Sequence, residues 1–337
     1  GGLARYCRWF SLPMMRLRRD VLGVTREDGR FTSLGPIREA AALFGTTAED
    51  LLWNHTLFPY ATAFTTKVDS ERAIRGELGA RGSRKHPGMS RLSRVGSRRV
   101  CKQCLLDDVA QYGETYWHRS HNLPGTFYCA KHRCLLNGTT LKAASRTTDV
   151  LPAECELLAP LPGWDSPGGL GLAVASAALL SRAPGPGQDR SAHFYLGLAV
   201  ERGLLGKGRE VSQPALLELF ASCFHSDFLK AASVEFSPSR PWPSLVFKPK
   251  SRKLATLGQL MMETMLRNGN PRPGFLNHQR KGPPYPSRQE MDDRFAKAGA
   301  ALLEQLTSER RRLMLAPFLR RIGADHAWSK HKQEHPQ

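Results

Sequence analysis

Val100-Cys101-Lys102-Gln103-Cys104 and, beyond a loop, Cys129-Ala130-Lys131-His132 are the stretches whose reading decides this fold. They spell C-x2-C and C-x2-H. Two short pairs brought together across a loop supply three thiolates and an imidazole, the donor set of a tetrahedral zinc site. With every coordination position filled by protein, none is left for water or substrate, so the expected role of the ion is structural. One zinc ion is expected on Cys101, Cys104, Cys129 and His132. His118 and His121 are rivals for the imidazole position. The spacing favours His132, and one or both of the others are expected to form hydrogen bonds around the ligands or to backbone instead.

The module around these ligands is read as residues 100–136. A short helix follows the first pair through Leu105 and Leu106. Asp107 and Asp108, adjacent on that helix, point apart and are expected to fix the turn after the cysteines. Leu123-Pro124-Gly125 is a turn, and Thr126-Phe127-Tyr128 a short strand leading back to the metal.

The composition points to a polyanionic partner. Lys and Arg number 49 against 30 Asp and Glu, a net charge of +19 over 337 residues. Nucleic acid is the first candidate, ahead of a membrane surface, because no basic amphipathic helix with a Trp/Leu face stands out. The densest run holds Arg81, Arg84, Lys85, Arg91, Arg94, Arg98 and Arg99, interleaved with Gly and Ser and free of acids up to Lys102. Such a segment reads either as a phosphate-binding arm or as a solvated linker. A second basic group, Lys248, Lys250, Arg252 and Lys253, follows Trp242, Leu245 and Phe247. Seven cysteines, with Cys7, Cys155 and Cys223 isolated and Cys134 just past the metal pair, are no disulfide framework and fit a reducing cytosol. No apolar stretch reaches membrane-span length and no signal peptide is visible, so a cytoplasmic, nucleoid-associated location is expected. The opening Gly1-Gly2, without Met, reads as a tag scar or a clipped start.

The predicted fold is mainly α and multidomain, with helix-turn-helix-type helical domains and a small α/β zinc module. Residues 1–80 form a helical domain. Within it Pro36 opens a helix, Gly45 stops it, and Thr46 or Thr47 caps a second helix carrying Leu51 and Leu52. That spacing fits a helix-turn-helix or any tight helical hairpin. Residues 81–99 are the basic arm, 100–136 the zinc module, and 137–190 a looser linker region ending in Ala183-Pro184-Gly185-Pro186-Gly187. Residues 191–268 form a second helical domain, 269–288 a Pro/Gly linker, and 289–337 C-terminal basic helices. No phosphate-cradling Gly-x4-Gly-Lys-Ser/Thr loop, Gly-x-Ser-x-Gly elbow, His-Glu-x-x-His or two-metal acid cluster is present. No catalytic residue is therefore assigned.

Three stretches resemble a known family. Arg99 to Leu105, Tyr112 to Gly125 and Cys129 to His132 together look like the zinc module of the TniQ/TnsD family, the target-selection proteins of Tn7-like transposons. His55-Thr56-Leu57-Phe58-Pro59-Tyr60 and Leu3-Ala4-Arg5-Tyr6 are similar to that family's upstream motifs. The resemblance covers residues 1 to about 136. It implies a non-enzymatic protein that binds double-stranded target DNA, or a guide-RNA effector that has found its target, and recruits an AAA+ transposition regulator of the TnsC/TniB kind. The metal role carries over to Cys101, Cys104, Cys129 and His132. The second Cys pair of many TniQ proteins is not matched, since residues 137–158 offer only Cys155. Two rival readings are an adaptor docked on a CRISPR ribonucleoprotein effector and an unrelated zinc-containing transcription regulator.

Overall fold

The structure is a computed structural model that describes Cys7, Arg16, Leu17 and residues 37–78, 96–142, 150–188, 190–206, 210–235, 242–247 and 255–267. The described residues are mainly helical, with one small sheet. No described helix is long and apolar enough to cross a membrane.

The N-terminal hairpin forms as its turn chemistry dictates. Helix α1 (Ile37–Leu43) ends just before Gly45, and α2 (Ala48–His55) starts from Thr47. The Thr47 Oγ1 accepts the Asp50 N–H at 3.0 Å, and Glu49 and Asp50 put negative charge on the positive end of the helix dipole. Both sequence readings of this unit, a groove reader and a plain helical hairpin, share this geometry. Helix α2 buries Leu51, Leu52 and Trp53. Thr56 then turns the chain: its Oγ1 donates to the Leu52 carbonyl at 2.6 Å and accepts the Phe58 N–H at 3.0 Å. The short α3 (Phe58–Ala61) follows, wholly buried, with Phe58 edge-on to Trp53 at 5.3 Å. Burying rings of this size is worth about 1.5–3 kcal/mol each. Helix α4 (Lys67–Leu78) completes the layer.

The sheet is antiparallel in the order β1 (Ser97–Val100), β2 (Asn137–Lys142), β3 (Leu157–Leu158). Arg99 pairs with Gly138, Val100 with Asn137 and Thr139 with Leu157. Helix α5 (Lys102–Tyr112) leaves β1 directly, with Cys101 as its N-cap. Two sequence boundaries move as a result. Strand β1 begins inside the stretch read as a basic arm, and β2 and β3 lie in the stretch read as linker. The sequence Ser97-Arg98-Arg99-Val100 hid a strand because its two arginines are accommodated by burial and ring stacking rather than by solvent.

Among the described residues five further helices follow: α6 (Gly169–Leu180), α7 (Ala192–Glu201), α8 (Gln213–Cys223), α9 (Ser226–Ala231) and α10 (Thr256–Leu266). A 3-10 turn, Trp242–Phe247, lies against α7 and α8. Residues 257–266 of α10 are buried on every face, Met261, Met262 and Met265 among them. Its polar side chains are paired: Gln259 accepts from the Tyr195 hydroxyl at 3.3 Å, and Glu263 meets Arg190 at 3.5 Å and Arg267 at 3.2 Å.

The separate domains expected from the Pro/Gly punctuation share one apolar core. Contact runs unbroken from Cys7 through the metal module to Leu266. The Ala183–Gly187 stretch, read as a domain boundary, is docked on the N-terminal helices. Arg182 donates to the Pro59 carbonyl at 3.0 Å and the Thr62 hydroxyl at 2.8 Å, and lies over the Trp53 ring at 4.7 Å. Gly187 donates to Ser70 Oγ at 2.9 Å, and Gln188 to the Ala63 carbonyl at 2.7 Å. A Cβ on Gly187 would stand 2.3 Å from the Thr62 carbonyl oxygen. A stretch rich in Pro and Gly is here a close backbone contact rather than a tether.

Candidate metal centre

Four elements bring the ligands together. Cys101 follows β1 and caps α5, and Cys104 stands in the first turn of that helix. Cys129 follows Tyr128, which bridges to Leu135. The return is a tight knuckle in which Cys129 N–H donates to the Cys134 carbonyl at 2.8 Å, Arg133 N–H to the Cys129 carbonyl at 2.8 Å, and Arg133 sits at φ 54°. This knuckle presents His132.

The donor atoms fit one ion. Cys104 Sγ and Cys129 Sγ are 3.7 Å apart. His132 Nδ1 lies 3.4 Å from Cys101 Sγ, 3.3 Å from Cys104 Sγ and 3.7 Å from Cys129 Sγ. For tetrahedral zinc, bonds of about 2.3 Å to sulfur and 2.0 Å to nitrogen give edges of about 3.8 Å between sulfurs and 3.5 Å between sulfur and nitrogen. Cys101, Cys104, Cys129 and His132 therefore form a cluster that can hold a metal ion. The electrostatics agree. The Cys101 thiol is held far below its usual range by the hydrogen bonds it accepts from Cys104 and Cys129. The Cys104 thiol is pushed up, first by its bond to Cys101, and Cys129 likewise. Three sulfurs this close cannot all carry charge without a cation among them.

A second set of residues holds the ligands in place. Asp107 Oδ2 lies 3.2 Å from His132 Nε2, which fixes the proton on Nε2 and leaves the Nδ1 lone pair facing the sulfurs. The same carboxylate takes a bond from Lys131, which keeps its pKa low. Asp108, buried, meets His118 Nε2 at 3.0 Å. His118 stacks on His121 at 4.7 Å, and His121 Nε2 is 3.7 Å from Cys104 Sγ. His118 and His121 thus lie beside the ligands, and with Cys104 they form a second group that could hold a metal ion, while the two aspartates do more than shape a turn.

Of the residues read as nucleic-acid contacts, Arg99 is corrected. It is 4% exposed, and its guanidinium donates to the His121 and Leu123 carbonyls at 3.0 and 2.7 Å while lying over Phe127 at 4.9 Å. Burial pushes its pKa down to about 9. Its work is internal, because both carbonyls point at a cation that water does not reach. Arg98 is half-buried over the Trp117 ring at 5.0 Å. Arg81, Arg84, Lys85, Arg91, Arg94, Lys248, Lys250, Arg252 and Lys253 lie outside the described residues.

Three residues gained roles that spacing did not reveal. Arg119 reaches from the module to the Thr56 carbonyl, and to that of Trp53 at 3.4 Å. Asn122 binds the Arg99 backbone, and the Cys134 thiol stands 3.6 Å from that of Cys101. The signal for the first two was the Arg119-Ser120-His121-Asn122-Leu123-Pro124-Gly125 run itself, whose residues turn out to clip the metal module to β1, α2 and α10.

Residues 1–136 match the TniQ family, a stretch that ends just past His132. Over 216 residues the chain is 28% identical to the transposon Tn7 transposition protein TnsD of Escherichia coli, an alignment covering 61% of this chain. It spans 42% of that relative's length. Over residues 1–136, metal centre included, this chain is thus similar to the TniQ family.

Proposed function

We propose that this chain selects target sites for a Tn7-like transposon. It binds double-stranded target DNA and recruits an AAA+ regulator, which brings the transposase. It performs recognition without chemistry, on the bacterial nucleoid. The observation that carries this reading is that the family match includes the whole metal centre and the motifs that clip it to the helices. The net charge of +19 supports a nucleic-acid partner. The bound ion is zinc, because three thiolates and one imidazole in a closed tetrahedron suit zinc and leave no reactive position. Phosphate contact falls to Arg81, Arg84, Lys85, Arg91, Arg94 and Arg98 and to Lys248, Lys250, Arg252 and Lys253, with the buried Arg99 removed from that set.

The test is to incubate the zinc-loaded protein with fragmented genomic DNA at near-physiological salt and to sequence what it retains. One enriched site supports a selector that reads DNA itself. Uniform, salt-sensitive retention overturns that and moves specificity to a partner such as a CRISPR ribonucleoprotein. Neutralising Arg81, Arg84, Lys85, Arg91 and Arg94 together is expected to weaken binding to all sequences alike and to flatten its salt dependence.

A further inference from the structure

Among the described residues, Cys134 is the one sulfur beside the metal centre that is not among its ligands. Its Sγ stands 3.6 Å from that of Cys101, yet it does not share the common reach of Cys101, Cys104, Cys129 and His132. The sulfurs differ in access. The three ligand cysteines are buried, whereas Cys134 is partly exposed. An oxidant arriving from solvent meets Cys134 first. The knuckle holds it there, through the Cys134 carbonyl and the Cys129 N–H.

We propose that Cys134 is an oxidative modification site that forms a disulfide with Cys101 and thereby opens the metal centre. A two-electron peroxide supplies the oxidising equivalents. Hydrogen peroxide converts the Cys134 thiol to a sulfenic acid, and one water leaves. The Cys101 thiolate then attacks the Cys134 sulfur. The S–S bond forms, the S–O bond breaks, and the departing hydroxide takes a proton to become a second water. The disulfide closes the 3.6 Å gap between the two sulfurs to a bond of about 2.05 Å. The ion loses one of its three thiolates, and Cys101 can no longer anchor β1 and α5 to it.

The rival pair is Cys104 and Cys129, whose sulfurs are 3.7 Å apart. Trypsin separates the outcomes. Cys101 falls in the peptide 100–102, Cys104 in 103–119, Cys129 in 120–131 and Cys134 in 134–142. The zinc-loaded full chain is treated with hydrogen peroxide, released zinc is followed with a chelating dye, and free thiols are blocked before digestion. The expected result is a linked 100–102/134–142 peptide that grows in step with zinc release. Cys134→Ser is expected to bind zinc as the unmodified chain does and to release it about tenfold more slowly, since the attacked sulfur is gone. Equal release from Cys134→Ser, or a linkage of Cys104 to Cys129 as the first product, overturns the proposal. A chain that holds no stoichiometric zinc before oxidant is added overturns the metal centre and the proposal with it.

Discussion

Asn122 holds the backbone of Arg99 from both sides. Its Oδ1 accepts the Arg99 N–H at 3.0 Å, and its Nδ2 donates to the Arg99 carbonyl at 3.3 Å and the His118 carbonyl at 3.0 Å. Among the described residues, strand β1 is at the edge of its sheet, with β2 on one side only. Asn122 thus stands where a neighbouring strand would, satisfying the outward backbone groups of Arg99. Asn122→Ala leaves these groups partnerless, a loss of about 1–3 kcal/mol. Urea unfolding of the zinc-saturated protein, at unchanged metal stoichiometry, measures it.

Arg99 itself presents a fork to two carbonyls and a flat face to Phe127. Lysine keeps the charge but offers neither the fork nor the plane. Arg99→Lys is expected to destabilise by at least about 2 kcal/mol, as one buried charge-assisted bond is worth about 1.5–3 kcal/mol. If Arg99 instead bound phosphate from the surface, this substitution would leave the urea midpoint unmoved and only weaken DNA binding.

The metal set was legible because ligand spacing is a local property. C-x2-C and C-x2-H each sit on one turn, so the pairing needed only a loop to close it. The capped hairpin at Thr47 was legible for the same reason. What stayed hidden depended on distant contacts. Nothing local to Arg99 says that the His121 and Leu123 carbonyls will surround it. Nothing in Ala183-Pro184-Gly185-Pro186-Gly187 says that Thr62 and Thr65 will close on its last glycine. Punctuation by Pro and Gly marks where a chain turns, and tertiary packing decides whether the turn is free or docked.

Removing the metal should cost the module its fold. Structural zinc on such ligands contributes about 10 kcal/mol or more near neutral pH. Without the ion, three sulfurs and an imidazole crowd one another at the centre of β1, α5 and the knuckle. Cys104→Ser, or excess chelator, is expected to release the ion and to change the fluorescence of Trp117 and Trp164, both buried beside the module. Full retention of metal by Cys104→Ser would refute the ligand assignment.

Gly187 tests whether the two helical halves act as one body. A methyl group there meets the Thr62 and Thr65 carbonyl oxygens at 2.3 and 2.6 Å, and backbone cannot yield as a side-chain tip can. Gly187→Ala is expected to displace the docked stretch and to cost about 1–3 kcal/mol. Limited trypsin digestion should then cut at Arg182, whose guanidinium is otherwise held by Pro59 and Thr62. A cleavage pattern identical to that of the unmodified chain would show that the halves tolerate separation without it.

Acid should weaken the fold through His121 before carboxylates are involved. Burial, and then the neighbouring His118, push the His121 pKa from 6.5 down to about 3. The folded protein keeps this ring neutral, while an unfolded chain takes a proton near 6.5. The unfolded state therefore binds more protons across that interval. The stability tied to the neutral ring is fully present above about pH 6.5 and is lost as pH falls towards 3. His121→Gln takes up no proton and can still donate to Cys104. Protonation of the thiolates weakens metal binding in both proteins, so the difference between them isolates the ring. Urea midpoints measured from pH 7.5 to 5 should fall more steeply for the unmodified chain than for His121→Gln. Parallel slopes would place the acid sensitivity in the thiolates alone.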